Sequence, residues 1–233
     1  MEGVTAAVQF DLREKSVREL NAYLHGDDVA QQVEVTHSDG YHNIAVGIDA
    51  PINVTIKGHC GYYVAGMNKQ AHVHVQGNVG PGVGENMMSG KVHVTGSASA
   101  YAGATSHGGL LVIQGDTSSR CGISLKGADI VVGGSVGHVT GFMAQAGRIV
   151  ICGDAGHGLG DSLYEAVIYL RGDYESLGAD AQEQSMTEAD HAALAELLSK
   201  AGLEHDTAEF KRIASAKTLY HWNADKPSKY SIN

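Results

Sequence analysis

Stepping through the chain by 19 residues from Gly77 lands on glycine at every stop: Gly58, Gly77, Gly96, Gly115, Gly134, Gly153 and Gly172. A fixed period of this length marks a stacked repeat, and it restricts the fold more tightly than any other feature of the sequence. Three residues past each anchor stand Gly61, Gly80, Gly137 and Gly156, with Ser99, Ser118 and Glu175 in the remaining turns. Seven past it stand Gly84, Gly103, Gly122, Gly141 and Gly160, with Ala65 and Ala179 at the ends. The unit reads G-x-x-G-x-x-x-G and degrades toward its termini.

Two aliphatic columns precede the anchor. Four residues before it lie Val54, Val73, Val92, Leu111, Ile130, Ile149 and Ile168; two before it lie Ile56, Val75, Val94, Ile113, Val132, Ile151 and Leu170. A spacing of two, filled largely by β-branched residues, is that of a strand with one face buried. A column of smaller residues follows two positions after the anchor: Cys60, Val79, Ala98, Thr117, Val136, Ala155 and Tyr174. Such a unit has no core of its own and buries its apolar face only against copies of itself. Strands from successive turns then pair in parallel about 4.8 Å apart, so seven turns give a rod roughly 30 Å long. The fold predicted is an all-β core, a right-handed parallel β-helix (solenoid) of about seven 19-residue turns, right-handed because such crossovers are. The glycines are corners, where positive φ or close approach of neighbouring turns excludes a Cβ.

The repeat decides how the richest glycine stretch, "GNVGPGVGENMMSGKVHVTG" at 77–96, is read. A phosphate-binding loop needs a strand, one glycine-rich turn and a helix whose N-terminus faces the anion. Here "SGKVHVTG" returns at once to strand alternation, and G-x-G-x-x-G occurs nowhere in the chain. These glycines are corner residues.

The solenoid is expected over 33–179, flanked by an N-terminal segment, 1–32, and a helical C-terminal tail, 180–233. Residues 33–51 fall where an eighth turn would lie, with Val33 and Val35 in phase and Asp39 at the anchor position, and read as a degenerate capping turn. In "SVRELNAYLHG", Ser16 and Glu19 form a capping box, Leu20 and Leu24 share a face and Gly26 is the stop, so a short helix is predicted. A second helix is predicted from Thr187 as N-cap, with Asp190 three residues on, to Gly202, its apolar face made of Ala193, Leu194, Leu197 and Leu198. "TAEFKRIASAKTLY" reads as a further helix capped by Thr207, and "HWNADKPSKYSIN" as an extended arm.

The formal net charge of −10, with only 16 Lys and Arg, leaves no basic stripe for nucleic acid. The N-terminus lacks the basic start and apolar run of a signal peptide, and no apolar stretch approaches the roughly 20 residues that span a bilayer. Three cysteines, Cys60, Cys121 and Cys152, fall in three different columns and read as buried, reduced residues of a soluble cytoplasmic protein.

Among 13 histidines, two pairs occupy equivalent positions of successive turns: His74 with His93, and His138 with His157. Each pair stacks, but its column supplies no third ligand, and zinc takes three or four. Asp154 and Asp161, near His157, are the nearest candidates. No G-x-S-x-G elbow or H-E-x-x-H helix is present, and no catalytic, cofactor-binding or metal residue is assigned. The outward column three before the anchor turns apolar in the later turns, Val112, Val131, Val150 and Tyr169, so this face must be covered by the tail or by a partner.

The run from Gly58 to Gly172 resembles the GXGXG β-helix family, the C-terminal domain of the glutamate synthase large subunit; the GXGXG chain of formylmethanofuran dehydrogenase is similar in its repeat. The flanks "FDLREKSVRELNAYLHG" and "GDYESLGADAQEQSM…AGLEHDTAEFKRIASAKTLY" are similar to the free-standing GXGXG chains of N-methylglutamate synthase, also called methylamine–glutamate N-methyltransferase. The resemblance implies a non-catalytic structural subunit of a transferase complex. Its partners would be a class II glutamine-amidotransferase-like subunit and an FMN-binding glutamate synthase-like subunit that also carries an iron–sulfur cluster. The assembly would convert methylamine and glutamate to N-methylglutamate and ammonia. A stand-alone β-helix enzyme using the His138/His157 face is the competing reading from another class.

Overall fold

The computed structural model describes residues 7–217 and is a parallel β-solenoid with two helices. Strand β1 (Val8–Asp11), helix α1 (Val17–Leu24) and strand β2 (Gln32–Thr36) close one end. The repeating strands follow: β3 (Asn53–Lys57), β4 (His72–Gln76), β5 (Lys91–Val94), β6 (Leu110–Ile113), β7 (Lys126–Val132), β8 (Ala146–Ile151) and β9 (Val167–Leu170). They pair in parallel and in chain order, Val54 opposite Val73, Val73 opposite Val92, and so on to Ile149 opposite Ile168. Each of those steps is the 19-residue period of the sequence.

Three lines of inter-turn pairing run along the rod. The first is the sheet just described, whose two aliphatic columns are buried. The second is a column of single bridges, Cys60 to Val79 to Ala98 to Thr117 to Val136 to Ala155 to Tyr174, the small-residue column of the sequence. The third carries bonds such as Gly103 N–H to Val83 C=O at 2.8 Å and Gly122 N–H to Ala102 C=O at 2.8 Å. The core is the space these three walls enclose.

The glycines serve two different ends. At the anchor, the amide of Gly96 donates to the carbonyl of Gly77 at 3.1 Å, and a Cβ on Gly96 would lie 2.7 Å from that same oxygen. There the requirement is close approach of backbone to backbone. Seven residues on, Gly122 has φ +65° and a Cβ would strike Ile149 Cδ1 at 2.6 Å, so conformation and packing both demand glycine. Not every left-handed corner is glycine, however. Nine residues past the anchor, Met67, Asn86, Thr105, Ser124, Met143 and Ser162 all have φ between 51° and 58°. A side chain in that region costs roughly 1–2 kcal/mol, offset here by inter-turn bonds such as Thr105 N–H to Ile123 C=O at 2.9 Å.

The ends depart from expectation in three ways. Val33 lies opposite Val54 and Val35 opposite Ile56, an offset of 21 rather than 19 residues, so His37 and not Asp39 sits at the anchor position. The capping turn is two residues longer than the repeat, and because two is the strand period the buried face is preserved. Second, β1 adds an unforeseen parallel strand, Val8 opposite Val33, beyond the capping turn. Helix α1 has the expected Ser16–Glu19 capping box and buries Leu20 and Leu24, with His25 rather than Gly26 as its C-cap.

Third, the tail is only half helical. Strand β10 (Ala181–Gln184) precedes α2 (Glu188–Ala201), and the segment read as a further helix is a single turn at Thr207–Glu209 followed by strand β11 (Lys211–Ser215). Asp206, not Thr207, caps that turn, accepting from Ala208 N–H at 2.9 Å. β11 inserts antiparallel between β9 and β10, Ile213 opposite Ile168 and Glu183. It thereby satisfies the open edge of the last turn. Helix α2 has the expected Thr187–Asp190 capping box and ends at Gly202 with φ +71°. The expected C-terminal arm lies outside the described residues.

Helix α2 lies across the outer face of the sheet. Leu194, Leu197, Leu198 and Phe210 bury against Val112, Val131, Val150 and Tyr169, so the apolar outward column is covered by the chain's own tail. Burying each leucine contributes about 2 kcal/mol. We expect Gly96→Val to destabilise the rod by more than about 2 kcal/mol through the backbone clash. Denaturant unfolding measures this; unchanged unfolding would contradict the close-approach role.

Candidate functional site

Both histidine pairs stack as the register requires. His138 and His157 have ring centroids 5.1 Å apart and planes 5° apart, on the edge of an open groove of about 620 Å³. Ser135, Asp154, Asp173, Tyr174 and Glu175 line the rest of it. His157 Nδ1 lies 3.8 Å from Glu175 Oε2, with both side chains largely exposed. Nothing fixes either ring relative to the carboxylate. Asp161, the other residue close to His157 in sequence, is absent from the lining, and its Oδ1 accepts from the Ser162 hydroxyl at 2.7 Å. Among the described residues no group of three His, Cys, Asp or Glu side chains has the geometry to hold a metal ion.

The other pair has a mechanical role. His74 and His93 stack at 5.0 Å beside the end of α2. Gln114 Nε2 donates to the Ala201 carbonyl at 2.9 Å and lies 3.1 Å from His93 Nε2, while Lys91 Nζ donates to the Lys200 carbonyl at 2.8 Å. The solenoid therefore satisfies carbonyls that the helix C-terminus leaves unpaired. Burial, then the neighbouring His74 and Lys91, hold the His93 pKa down, which favours the neutral ring.

The start of α2 is latched by a carboxylate. Asp190 Oδ2 accepts from Thr187 N–H at 2.9 Å and from its hydroxyl at 2.6 Å, while Oδ1 accepts from Tyr169 Oη at 2.7 Å and Arg212 Nε at 3.2 Å. Arg212 also donates to Gln184 Oε1, tying in β10. Burial alone would raise the Asp190 pKa, but the bonds from Thr187 and Tyr169 and the charge of Arg212 outweigh it and bring it from 3.8 to about 2.

One column of polar side chains went unread in the sequence. Immediately after the anchor come His59, Asn78, Ser97, Asp116, Ser135, Asp154 and Asp173. Each of the first six accepts the backbone N–H of the same position one turn on, from His59 Nδ1 with Asn78 N–H at 2.9 Å to Asp154 Oδ1 with Asp173 N–H at 2.8 Å. Lys211 Nζ meets Asp173 Oδ1 at 2.8 Å at the foot. The signal was available: every member is a short acceptor. The acids facing the groove are thus partly engaged in holding turns together.

The cysteines do not converge. All three are buried thiols, and burial pushes Cys60 and Cys121 up to about 12 and Cys152 to about 11, so they are inert at neutral pH. No described helix is long and apolar enough to cross a membrane.

Fold and surface together define a strapped parallel β-solenoid whose polar groups mostly serve the stacking of turns. No family model matches the chain. It is 52% identical over 224 residues to Protein GlxC of Rhizobium meliloti (strain 1021), covering 94% of this chain and 98% of that protein. The chain belongs to the GlxC family.

The Asp190 latch carries a pH dependence. A folded-state pKa below the unfolded value gives stability that is present above about pH 4 and lost as pH falls through about 2. We expect Asp190→Asn to lower the melting temperature at neutral pH and to flatten its acid dependence between those limits. Identical melting curves for the two proteins across that range would remove the latch from the account.

Proposed function

We propose that the chain is the structural subunit of a glutamate synthase-like complex, specifically an N-methylglutamate synthase, and that it carries no active site. In this reading it braces a class II glutamine-amidotransferase-like subunit against an FMN-binding glutamate synthase-like subunit that also holds an iron–sulfur cluster. The complete assembly joins methylamine to glutamate, giving N-methylglutamate and releasing ammonia.

The observation that carries the reading is where the chain places its chemistry-bearing residues. The polar column from Asn78 to Asp154 is consumed in inter-turn bonds, and Lys91, His93 and Gln114 in seating α2, which leaves the stacked His138 and His157 exposed. A rod so built presents rigid faces at fixed spacing, which is what a brace requires. The similarity to GlxC supports it further, because it spans the flanks as well as the repeat and so concerns a free-standing chain of the same plan.

A second reading, a stand-alone β-helix enzyme, draws on the His138/His157 groove and its Glu175 contact. One experiment separates the two. The tagged chain, purified from its native cells, is expected to bring down an amidotransferase-like subunit and a flavin-coloured synthase subunit, identified by mass spectrometry and absorbance. The chain freed of them should be colourless and inactive with methylamine and glutamate. Turnover by the isolated chain that disappears in a His157→Ala variant would favour the enzyme, and recovery of the chain alone would overturn the brace.

A further inference from the structure

Helix α2 is held at both ends, by different chemistry. Its start is fixed to Tyr169 and Arg212 through the Asp190 carboxylate. Its end, at Lys200 and Ala201, rests on Lys91 of β5 and on Gln114, just past β6, with His93 of β5 beside the Gln114 amide.

The hydrogens at that end follow from the bonding. The Ala201 carbonyl can only accept, so the Gln114 atom 2.9 Å from it is the amide nitrogen. The same nitrogen lies 3.1 Å from His93 Nε2 and spends its second hydrogen there. His93 Nε2 therefore accepts, and the ring is the neutral form with its hydrogen on Nδ1. A proton added to Nε2 would turn the acceptor into a donor facing a donor. Gln114 could answer only by turning its amide over, which would set an oxygen against the Ala201 carbonyl.

Nothing near the ring is placed to balance the charge. Among the described residues the charged or titratable groups that act on His93 are His74, stacked on it at 5.0 Å, and Lys91. Both oppose a second positive charge. On α2, Lys200 is drawn off by Glu196 at 2.5 Å. The Nε2 of His74 is buried and has no hydrogen-bond partner among the described residues, so solvent does not reach that part of the stack to screen a charge. The carbonyls of a helix end favour a cation, but Lys91 and Gln114 already donate to those of Lys200 and Ala201.

We propose that the end of α2 is a pH-sensitive strap: protonation of His93 breaks its bond with Gln114 and frees the helix end from the solenoid, while the Asp190 latch keeps the helix start in place. The sign follows from the same groups. Burial, His74 and Lys91 hold the pKa of the seated ring below its ordinary 6.5, a value it regains once the end lifts. The lifted state therefore binds the proton more tightly. The seat is in full force above about pH 6.5 and weakens as pH falls below it. Asp190, with its pKa brought down to about 2, stays ionised throughout this range, so the two ends respond separately. What the lifted end uncovers is the β6 part of the apolar face, Leu110 and Val112.

Amide exchange in the full-length chain, corrected for the intrinsic effect of pH, tests the proposal. Between about pH 7.5 and pH 5.5, protection at Ser199 to Leu203 is expected to fall by up to about tenfold, the ceiling for one imidazole that titrates near 6.5 when freed. Protection of the anchor glycines should hold. His191 and His205 also belong to the strap, so the variant His93→Gln assigns the step: it keeps an acceptor at this position and removes its titration. The variant should stay flat across the range. In the wild type at about pH 7.5, imidazole nitrogen chemical shifts should report the hydrogen of His93 on Nδ1. No step in the wild type, a step that persists in the variant, or a hydrogen on His93 Nε2 would each overturn the proposal.

Discussion

The stack of turns depends on the hydrogen bond that each anchor glycine from Gly96 to Gly172 makes to the anchor of the turn before it. Gly115 donates to Gly96, Gly134 to Gly115, Gly153 to Gly134 and Gly172 to Gly153, at 2.9–3.1 Å. A Cβ at any of these positions would meet the backbone of the previous turn, at 3.0 Å or less. Once that contact is made, the rest of the register is forced: aliphatic columns stack inward, short acceptors catch the next turn's amide, and corners repeat. Because neighbours interact only with neighbours, the ends are the weak places and need dedicated covers. β1 with α1 at one end and the β11–β10 pair at the other provide them.

The repeat was legible because each of its columns carries one chemical demand. Val54 to Ile168 had to be apolar and Gly58 to Gly172 had to lack a Cβ, and period and phase follow from either column. The strap was legible only in part. Val112, Val131, Val150 and Tyr169 announced a covered face, and Leu194, Leu197 and Leu198 announced a helix to cover it. What could not be read was β11, because Phe210, Ile213 and Ala214 are spaced as on a helix while their partner is the open edge of β9, set by tertiary position alone. β1, four residues long, is too short for its alternation to stand out. The two extra residues of the capping turn were hidden for a different reason, since a shift of two leaves every side chain on its proper face.

Function follows from how the polar groups are spent. His93 and Asp154 looked like candidates for chemistry, yet the fold uses them to seat a helix end and to join turns. The groove by His138 and His157 keeps two exposed rings with no group orienting them.

The stacking bond at the anchors is best tested by native-state amide exchange resolved at single residues. If the account is right, the amides of Gly96, Gly115, Gly134 and Gly153 exchange only through global unfolding, with the free energy that denaturant unfolding gives. Those of α2 then exchange earlier, as the strap lifts from an intact rod. Anchor amides that exchange through local openings, faster than α2, would contradict it and shift the source of stability from the stacked turns to the strap.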